Sequence, residues 1–177
     1  ILAEVADPRV NPSIQSPPLG FKPKVTGPEY VNAFTRHVIR TVAHMIQLEK
    51  RTGRTVTLAL EPEPACFLET TEEAVDYFKN HLYAADAVRM IVTETGLNKS
   101  QAEAALRKHL GMVYDICHQA VEYEDIGASL RKLADVGIPV FKLQEAGALR
   151  VPNVTKETVA AMRPFAETVY LTQTIEQ

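Results

Sequence analysis

The fold of this chain is decided by the stretch Gly111-Met112-Val113-Tyr114-Asp115-Ile116-Cys117-His118, a short apolar run that ends in an Asp and is followed three residues later by a His. Such a run is typical of a buried strand that carries a carboxylate and an imidazole to its C-terminal end. Residues 55–60 lead in a similar way into Glu61, and residues 140–143 lead into Gln144. Three strands that finish on polar side chains predict a site at one end of a parallel sheet.

The composition is that of a single domain, residues 1–177. Hydrophobic residues make up 46% of the 177, which is enough for a substantial core. A net charge of −3 and a pI near 6.0 argue against a nucleic-acid partner, whose binding surface would be rich in Lys and Arg. No apolar run approaches the ~18 residues of a membrane span, and no signal peptide is visible. Two cysteines do not form a disulfide framework, so we expect a cytoplasmic location.

Strand and helix patterns alternate along the chain, which predicts an α/β fold with parallel strands. Residues 1–28 are rich in Pro and Gly and predict no helix. They form either a disordered arm or an ordered loop over a face of the domain, and their apolar residues favour the ordered loop. Residues 29–51 carry apolar residues at steps of three and four and predict a helix that Gly53 ends. Residues 126–136 predict a further helix, and Asp125 is its expected N-cap.

The longest interval between two strands predicts a helical insertion over about residues 65–110. Two capping signals lie in it, at residues 70–73 and 98–101, with a break near residues 95–97. A third capping signal begins at Thr155 and predicts a short helix, and residues 168–172 predict a last strand.

The residues at the strand ends are Glu61, Asp115, His118 and Gln144. Two carboxylates, an imidazole and an amide oxygen suit a divalent cation such as Mn, Mg, Fe, Co or Zn. The metal would polarise hydroxyl and carbonyl oxygens of a substrate or lower the pKa of a bound water. A carboxylate that does not bind the metal could instead carry a proton between neighbouring carbons. The Asp-x-x-His spacing is common by chance, so the three strand ends together carry this prediction.

Other side chains have two interpretations each. Cys66 and Cys117 both follow strand ends and are either a redox pair or thiolate ligand, or two unrelated buried thiols. Arg150 either holds a phosphate or carboxylate of the substrate or is an exposed or structurally paired Arg. Tyr114 is predicted to pack in the core beneath the site. The remaining histidines are predicted to be structural or surface residues: His37, His44, His81 and His109.

Two motifs carry a resemblance to a known superfamily. Leu58-Ala59-Leu60-Glu61-Pro62, followed by residues 113–118, resembles the xylose-isomerase-like TIM-barrel superfamily, which includes sugar isomerases, sugar epimerases and DNA-repair enzymes of the endonuclease IV class. Residues 114–122, with Lys142-Leu143-Gln144 and Ala148-Leu149-Arg150, are most similar to the metabolite-traffic protein of the Ebo type. Proteins of that type are associated with export or trafficking of prenylated metabolites. The resemblance covers roughly residues 53–150.

The resemblance implies a role for each of the site residues. It places Glu61 on the fifth barrel strand, Asp115 and His118 on the sixth and Gln144 on the seventh. In metal-dependent members of the superfamily the Glu and the Asp bind the metal, and the His either binds it or binds the substrate. Our prediction is a divalent metal (Mn, Zn or Mg) bound by these four residues. The resemblance further implies that Glu61 and His118 are catalytic, and that Gln144 and Arg150 bind the substrate.

The resemblance also implies that part of the barrel is missing. A complete barrel needs ~250 residues, and the first four strands are not found. The eighth strand of the superfamily usually adds a carboxylate, for which Glu167 and Glu176 are the late candidates. The chain is therefore expected to be a fragment or a half barrel, completed as a homo-oligomer or by the missing part of the barrel, because open sheet edges and apolar surface must be covered.

Three functions remain open at this stage. The first is a sugar-isomerase/epimerase-like domain that binds a divalent metal and a polyhydroxylated or phosphorylated small molecule. The second is a non-catalytic metabolite-trafficking or binding protein that retains the barrel. The third, an endonuclease IV-like phosphodiesterase, is disfavoured by the acidic balance and by too few histidines for a multi-metal cluster.

Overall fold

The structure is a computed structural model that describes residues 1–16 and 19–166. The helices are α1 Leu2–Val5, α2 Pro28–Thr52, α3 Thr71–Tyr77, α4 Ala85–Thr95, α5 Lys99–His109, α6 Ile116–Val121, α7 Ile126–Asp135 and α8 Lys156–Met162. The strands are β1 Ser13–Ser16, β2 Thr57–Leu60, β3 Leu110–Asp115 and β4 Val140–Gln144. Two 3₁₀ turns, Lys22–Lys24 and Arg163–Phe165, and a π-helical segment, Phe78–Leu82, complete the described elements.

The four strands form one parallel sheet in the order β1-β2-β3-β4. The sheet is curled, since Lys142 of β4 donates a hydrogen bond to Gln15 of β1 across the two strands between them. Three strand spacings of a flat sheet would separate β1 from β4 by about 14 Å. The predicted α/β class is therefore confirmed, and the fold is a half barrel of the TIM type with helices between its strands.

The helical insertion lies between β2 and β3, as predicted, and consists of α3, the π-helical segment, α4 and α5. The predicted starts of α3 and α5 are confirmed by capping boxes at Thr70 and Asn98, in which the side chain and the backbone of the cap each form a hydrogen bond with the residue three positions later. Gly53 and Gly96 end α2 and α4 in the left-handed region, at φ 69° and 74°.

The prediction for residues 1–28 is wrong, because α1 and β1 lie within them. The prolines flank these elements and do not interrupt them: α1 ends before Pro8, and β1 begins after Pro12. One strand thus precedes the strand of Glu61, where the sequence predicted none. The strand predicted over residues 168–172 lies outside the described residues.

The core lies between the outer face of the sheet and the helices. Tyr114 is fully buried in it, as predicted. Other large side chains that are almost fully buried there are Phe78, Ile39, Leu60, Leu68, Leu82, Ile91, Leu106, Leu110, Met112 and Leu133. No helix among residues 1–16 and 19–166 is long and apolar enough to cross a bilayer.

Both edges of the sheet carry exposed apolar side chains. Ile14 on β1 is 43% exposed, and Leu143 on β4 is 52% exposed. The edges are where a further strand would pair. Association through them stays a prediction.

His109 joins the helical insertion to the start of β2, at the end of the sheet opposite Glu61. Its Nδ1 lies 2.8 Å from the carbonyl oxygen of Val56, and its Nε2 lies 2.9 Å from Glu49 Oε2. Glu49 also accepts hydrogen bonds of 2.6 Å from Lys108 and from Thr55. Burial acts to raise the pKa of Glu49, but these donors outweigh it and lower the pKa from 4.5 to about 2.

We expect Glu49→Gln to remove a stabilising charge that is present at neutral pH. Because the folded pKa of Glu49 is depressed, its contribution is complete above pH 4.5 and is lost as the pH falls from 4.5 to about 2. The substitution should lower the free energy of unfolding at neutral pH by about 1–2 kcal/mol, and stability should fall less steeply with acid than in the wild type. Urea unfolding at a series of pH values measures both effects, with Glu94→Gln on an exposed face of α4 as the control. Parallel acid profiles for the wild type and Glu49→Gln would contradict this assignment.

Gly111 lets β3 approach the chain that enters β4. A Cβ at this position would lie 2.3 Å from the carbonyl oxygen of Pro139 and 2.7 Å from the ring of Phe141. We expect Gly111→Ala to lower the free energy of unfolding by about 1–3 kcal/mol through overpacking. Gly147→Ala is the matched control, since a Cβ there meets no atom within 4 Å. Equal stability of the two variants in denaturant unfolding would refute the close approach.

Candidate functional site

Glu61 directly follows the last residue of β2 at the carboxyl end of the sheet. It is only 5% exposed, because the neighbouring strands flank it and Pro62 directs the chain away from the sheet. A buried carboxylate is costly unless donors surround it. The contacts of Glu61 therefore define the site.

Asp115 is both the last residue of β3 and the N-cap of α6. Its Oδ1 accepts a hydrogen bond of 2.9 Å from the backbone N–H of Cys117, while its Oδ2 accepts one from the amide of Gln144. The cap begins α6 at once, so His118 lies in the helix and not at the end of the strand. The tight turn from strand to helix brings His118 back over the strand ends.

The imidazole of His118 faces both carboxylates. Its Nδ1 lies 3.5 Å from Glu61 Oε1 and 3.9 Å from Asp115 Oδ2. This nitrogen is buried and forms no hydrogen bond within the described part of the chain. A buried polar atom that lacks a hydrogen bond is uncommon, and an unfilled ligand position is one of its recognised explanations.

Gln144, at the end of β4, connects the two carboxylates. Its Nε2 donates a hydrogen bond of 2.7 Å to Glu61 Oε1 and another to Asp115 Oδ2. The structure thus brings together the four residues that the sequence predicted for the site, but it turns the amide nitrogen of Gln144, and not its oxygen, toward the carboxylates.

Two residues of the site were missed by the sequence reasoning. Gln15 on β1 donates to Glu61 Oε2, and Lys142 on β4 donates to the oxygens of Gln15 and Gln144. The signal for Gln15 was a short run that ends just before Pro17, much as residues 55–60 lead through Glu61 into Pro62. The signal for Lys142 was its place two residues before Gln144, on the same face of a strand.

The two carboxylates differ in their electrostatics. Burial raises the pKa of Glu61, and the charge of Asp115 adds to this, while His118 and the amide of Gln15 oppose it without cancelling it. Burial also acts to raise the pKa of Asp115, but hydrogen bonds from Cys117 and the charge of His118 outweigh it, so this pKa is lowered. Asp115 is therefore held more strongly in its ionised form, and Glu61 is the carboxylate that more easily takes up and releases a proton.

Cys117 lies beside the carboxylates of Asp115 and Glu61. Its Sγ, a carboxylate oxygen of Asp115 and a ring nitrogen of His118 all lie within 4.8 Å of one another. Burial, the hydrogen bond to Asp115 and the nearby negative charges raise the pKa of the Cys117 thiol to about 11. Both Cys117 and Cys66 are free thiols. Asp115, Cys117 and His118 could therefore hold a metal ion together, and Glu61 Oε1, which lies 3.5 Å from His118 Nδ1, is a further possible ligand.

One spacing between these side chains fits a divalent metal. Two ligand atoms about 2.1 Å from a tetrahedral ion lie about 3.4 Å apart, close to the 3.5 Å between His118 Nδ1 and Glu61 Oε1. The unsatisfied imidazole nitrogen and two carboxylates suit Zn or Mn, and carboxylate oxygens alone suit Mg. A bound ion would have to displace the N–H groups of Gln144 from the carboxylates of Glu61 and Asp115.

The other predicted site residues are not part of this cluster. Arg150 is exposed, in the loop after β4, and forms no hydrogen bond or ion pair among residues 1–16 and 19–166. Its substrate-binding role stays a prediction. Glu167 and Glu176 lie outside the described residues. His37 and His44 are exposed, and the ring of His81 lies 5.3 Å from that of Tyr77.

No family of known proteins matches this chain, and no curated protein matches it. Among solved structures, the chain is similar to the apo form of the 3-keto-D-glucoside 4-epimerase YcjR from E. coli, with a TM-score of 0.38 and 20% identity. The superposition covers 92% of this chain and 66% of the epimerase chain. A TM-score and an identity this low assign no activity to this chain.

We expect Asp115→Asn to make Cys117 more reactive in metal-free protein. Removal of the Asp115 charge lowers the thiol pKa from about 11 toward its ordinary value, while the Asn side chain keeps the cap of α6. Alkylation by iodoacetamide at about pH 8, measured by mass spectrometry in a Cys66→Ala background with EDTA, should be several-fold faster. Asp135→Asn, at an exposed position of α7, is the control. An unchanged rate in Asp115→Asn would show that the carboxylate does not raise the pKa of the Cys117 thiol.

Proposed function

We propose that this chain is a xylose-isomerase-like domain of the sugar-isomerase/epimerase type. It binds a divalent metal and a polyhydroxylated or phosphorylated small molecule at the carboxyl ends of its strands. The observation that carries the proposal is the convergence of Glu61 Oε1, Asp115 Oδ2 and the unsatisfied His118 Nδ1, which come from the residue after β2, the end of β3 and α6.

The metal would be held by Asp115, His118 and Oε1 of Glu61, and the Gln144 oxygen would join them once its amide turns. Such an ion, when bound, polarises adjacent hydroxyl and carbonyl oxygens of a sugar. Asp115 suits the role of anchor, because its pKa is lowered and it stays ionised.

Glu61 has a second oxygen for proton transfer. Its Oε2 faces Gln15, away from the atoms of Asp115 and His118. A substrate that displaces the Gln15 amide would bring a C–H bond next to this oxygen. For isomerisation, Glu61 would take the proton from the carbon beside a polarised carbonyl and return it to the former carbonyl carbon, while the hydroxyl proton passes to the former carbonyl oxygen. For epimerisation, Glu61 would take the same proton, and a second acid such as water would deliver a proton to the opposite face of that carbon.

The rest of the site suits a polyhydroxylated ligand. The amides of Gln15 and Gln144 offer both donors and acceptors to hydroxyl groups. Lys142 is the cation that hydrogen-bonds to residues of the site, so it is placed to bind a phosphate or carboxylate group. Arg150 would contribute only if its loop moves toward the strand ends.

A second candidate is a non-catalytic metabolite-trafficking or binding protein of the Ebo type. One observation favours it: the amides of Gln15 and Gln144 already satisfy the carboxylates of Glu61 and Asp115 without a metal. Such a protein would keep the same pocket for recognition and would bind its ligand through hydrogen bonds alone. Metal dependence separates the two candidates.

The proposal also covers how the domain associates, where it is located and why a nuclease function is disfavoured. The open edges at Ile14 and Leu143 support association with a second copy or with further barrel strands. The two free thiols support a cytoplasmic location. A nuclease with a multi-metal cluster would need several histidines near Asp115, and of the five in the chain only His118 is near it.

We expect the wild type to bind about one equivalent of Mn²⁺ or Zn²⁺ per chain and Asp115→Asn to lose it. Because the Asn side chain retains the α6 cap, a loss of metal binding would result from the missing charge and not from unfolding. Circular dichroism checks that the variant is folded. Metal content is measured by mass spectrometry after dialysis, and affinity by calorimetry. Asp135→Asn should bind as the wild type does. A folded, metal-free wild type would exclude the isomerase function and leave the non-catalytic one.

A further inference from the structure

Lys142 projects from β4 toward the amides of two other residues of the site. Its Nζ lies 2.9 Å from Gln144 Oε1 and also donates to Gln15 Oε1. The same two amides donate through their nitrogens to Glu61, and Gln144 donates to Asp115 as well. Each amide thus lies between the ammonium group of Lys142 and the carboxylate of Glu61, and the amide of Gln144 also contacts Asp115.

This arrangement allows only one orientation of each amide. An ammonium group has donors and no acceptor, whereas an ionised carboxylate has acceptors and no donor. Rotation of either amide by half a turn would place its NH₂ against Lys142 and its oxygen against Glu61, so that attractive contacts become repulsive. The direction of both amides is therefore determined by the chemistry of their neighbours.

The direction of the amides determines what the carboxylates can bind. With the nitrogens inward, the Gln144 amide occupies Glu61 Oε1 and Asp115 Oδ2, the two oxygens nearest His118 Nδ1. With the oxygens inward, the same amides would supply neutral ligands to a cation. A side chain that fixes the nitrogens inward therefore opposes a metal at this place.

We propose that Lys142 is a positioning residue that holds both amides with their NH₂ groups on the carboxylates and so restrains metal binding in the resting site. This regulation rests on the proposed function of the site. An anionic group of a ligand that draws Lys142 away would release both amide oxygens, so that the ligand and the metal bind cooperatively. Lys142 acts on the metal through Gln15 and Gln144 and does not touch it.

The orientation is tested first, without metal. The side-chain ¹⁵N–¹H signals of Gln15 and Gln144, assigned by NMR in the presence of EDTA, should show slow hydrogen exchange and shifts outside the range of exposed glutamines in the wild type. In Lys142→Met, which keeps the length of the side chain and removes its donors, these signals should approach those of exposed amides. Lys142→Arg should preserve the wild-type pattern, because guanidinium also only donates. Unchanged signals in Lys142→Met would overturn the proposal.

The restraint on the metal is tested by titration with Mn²⁺ alone. We expect Lys142→Met to bind Mn²⁺ about tenfold more tightly than the wild type, and Lys142→Arg to bind like the wild type. Lys50→Met, at an exposed position near the end of α2, controls for the change in net charge. Equal affinity in Lys142→Met and the wild type would overturn the restraint. If none of the variants binds Mn²⁺ while the NMR result holds, the proposed metal function fails and the positioning of the amides by Lys142 stands.

Discussion

The site depends on the burial of two carboxylates, Glu61 and Asp115, at neighbouring strand ends. Withdrawal of charges from water is costly, so the fold must supply donors to each of them. Gln15 reaches Glu61 from β1, which pairs directly with β2, whereas Gln144 reaches it from β4 across β3, because the sheet curls. The curvature of the half barrel therefore helps to determine which side chains reach the buried carboxylates.

Asp115 shows how one side chain serves both the fold and the site. Its first oxygen caps α6 and its second faces His118 and Gln144. The cap ends the strand and begins the helix in a single step, which is how an Asp-x-x-His spacing becomes a carboxylate beside an imidazole. Burial and the same carboxylate raise the pKa of the Cys117 thiol to about 11, which favours its protonated form.

Much of the local structure was predictable from the sequence because its signals are local. The capping boxes at Thr70 and Asn98, the stop at Gly53 and the buried strand that ends at Asp115 each depend on residues within a few positions of one another. The strand at residues 13–16 was missed because prolines on both sides made the whole segment resemble a loop. Its parallel pairing with β2 is a contact between residues more than forty positions apart.

The sequence by itself determined the α/β class, the strands that lead to Glu61, Asp115 and Gln144, and the types of polar atom that these residues carry. Only the tertiary structure decided that Gln15 and Lys142 belong to the site, that Arg150 stays outside the cluster, and that the amide of Gln144 presents its nitrogen. The physical reason is that strand and helix periodicity is set by near neighbours in the chain. The direction of an amide, by contrast, is set by the charges that a curled sheet brings to it from distant strands.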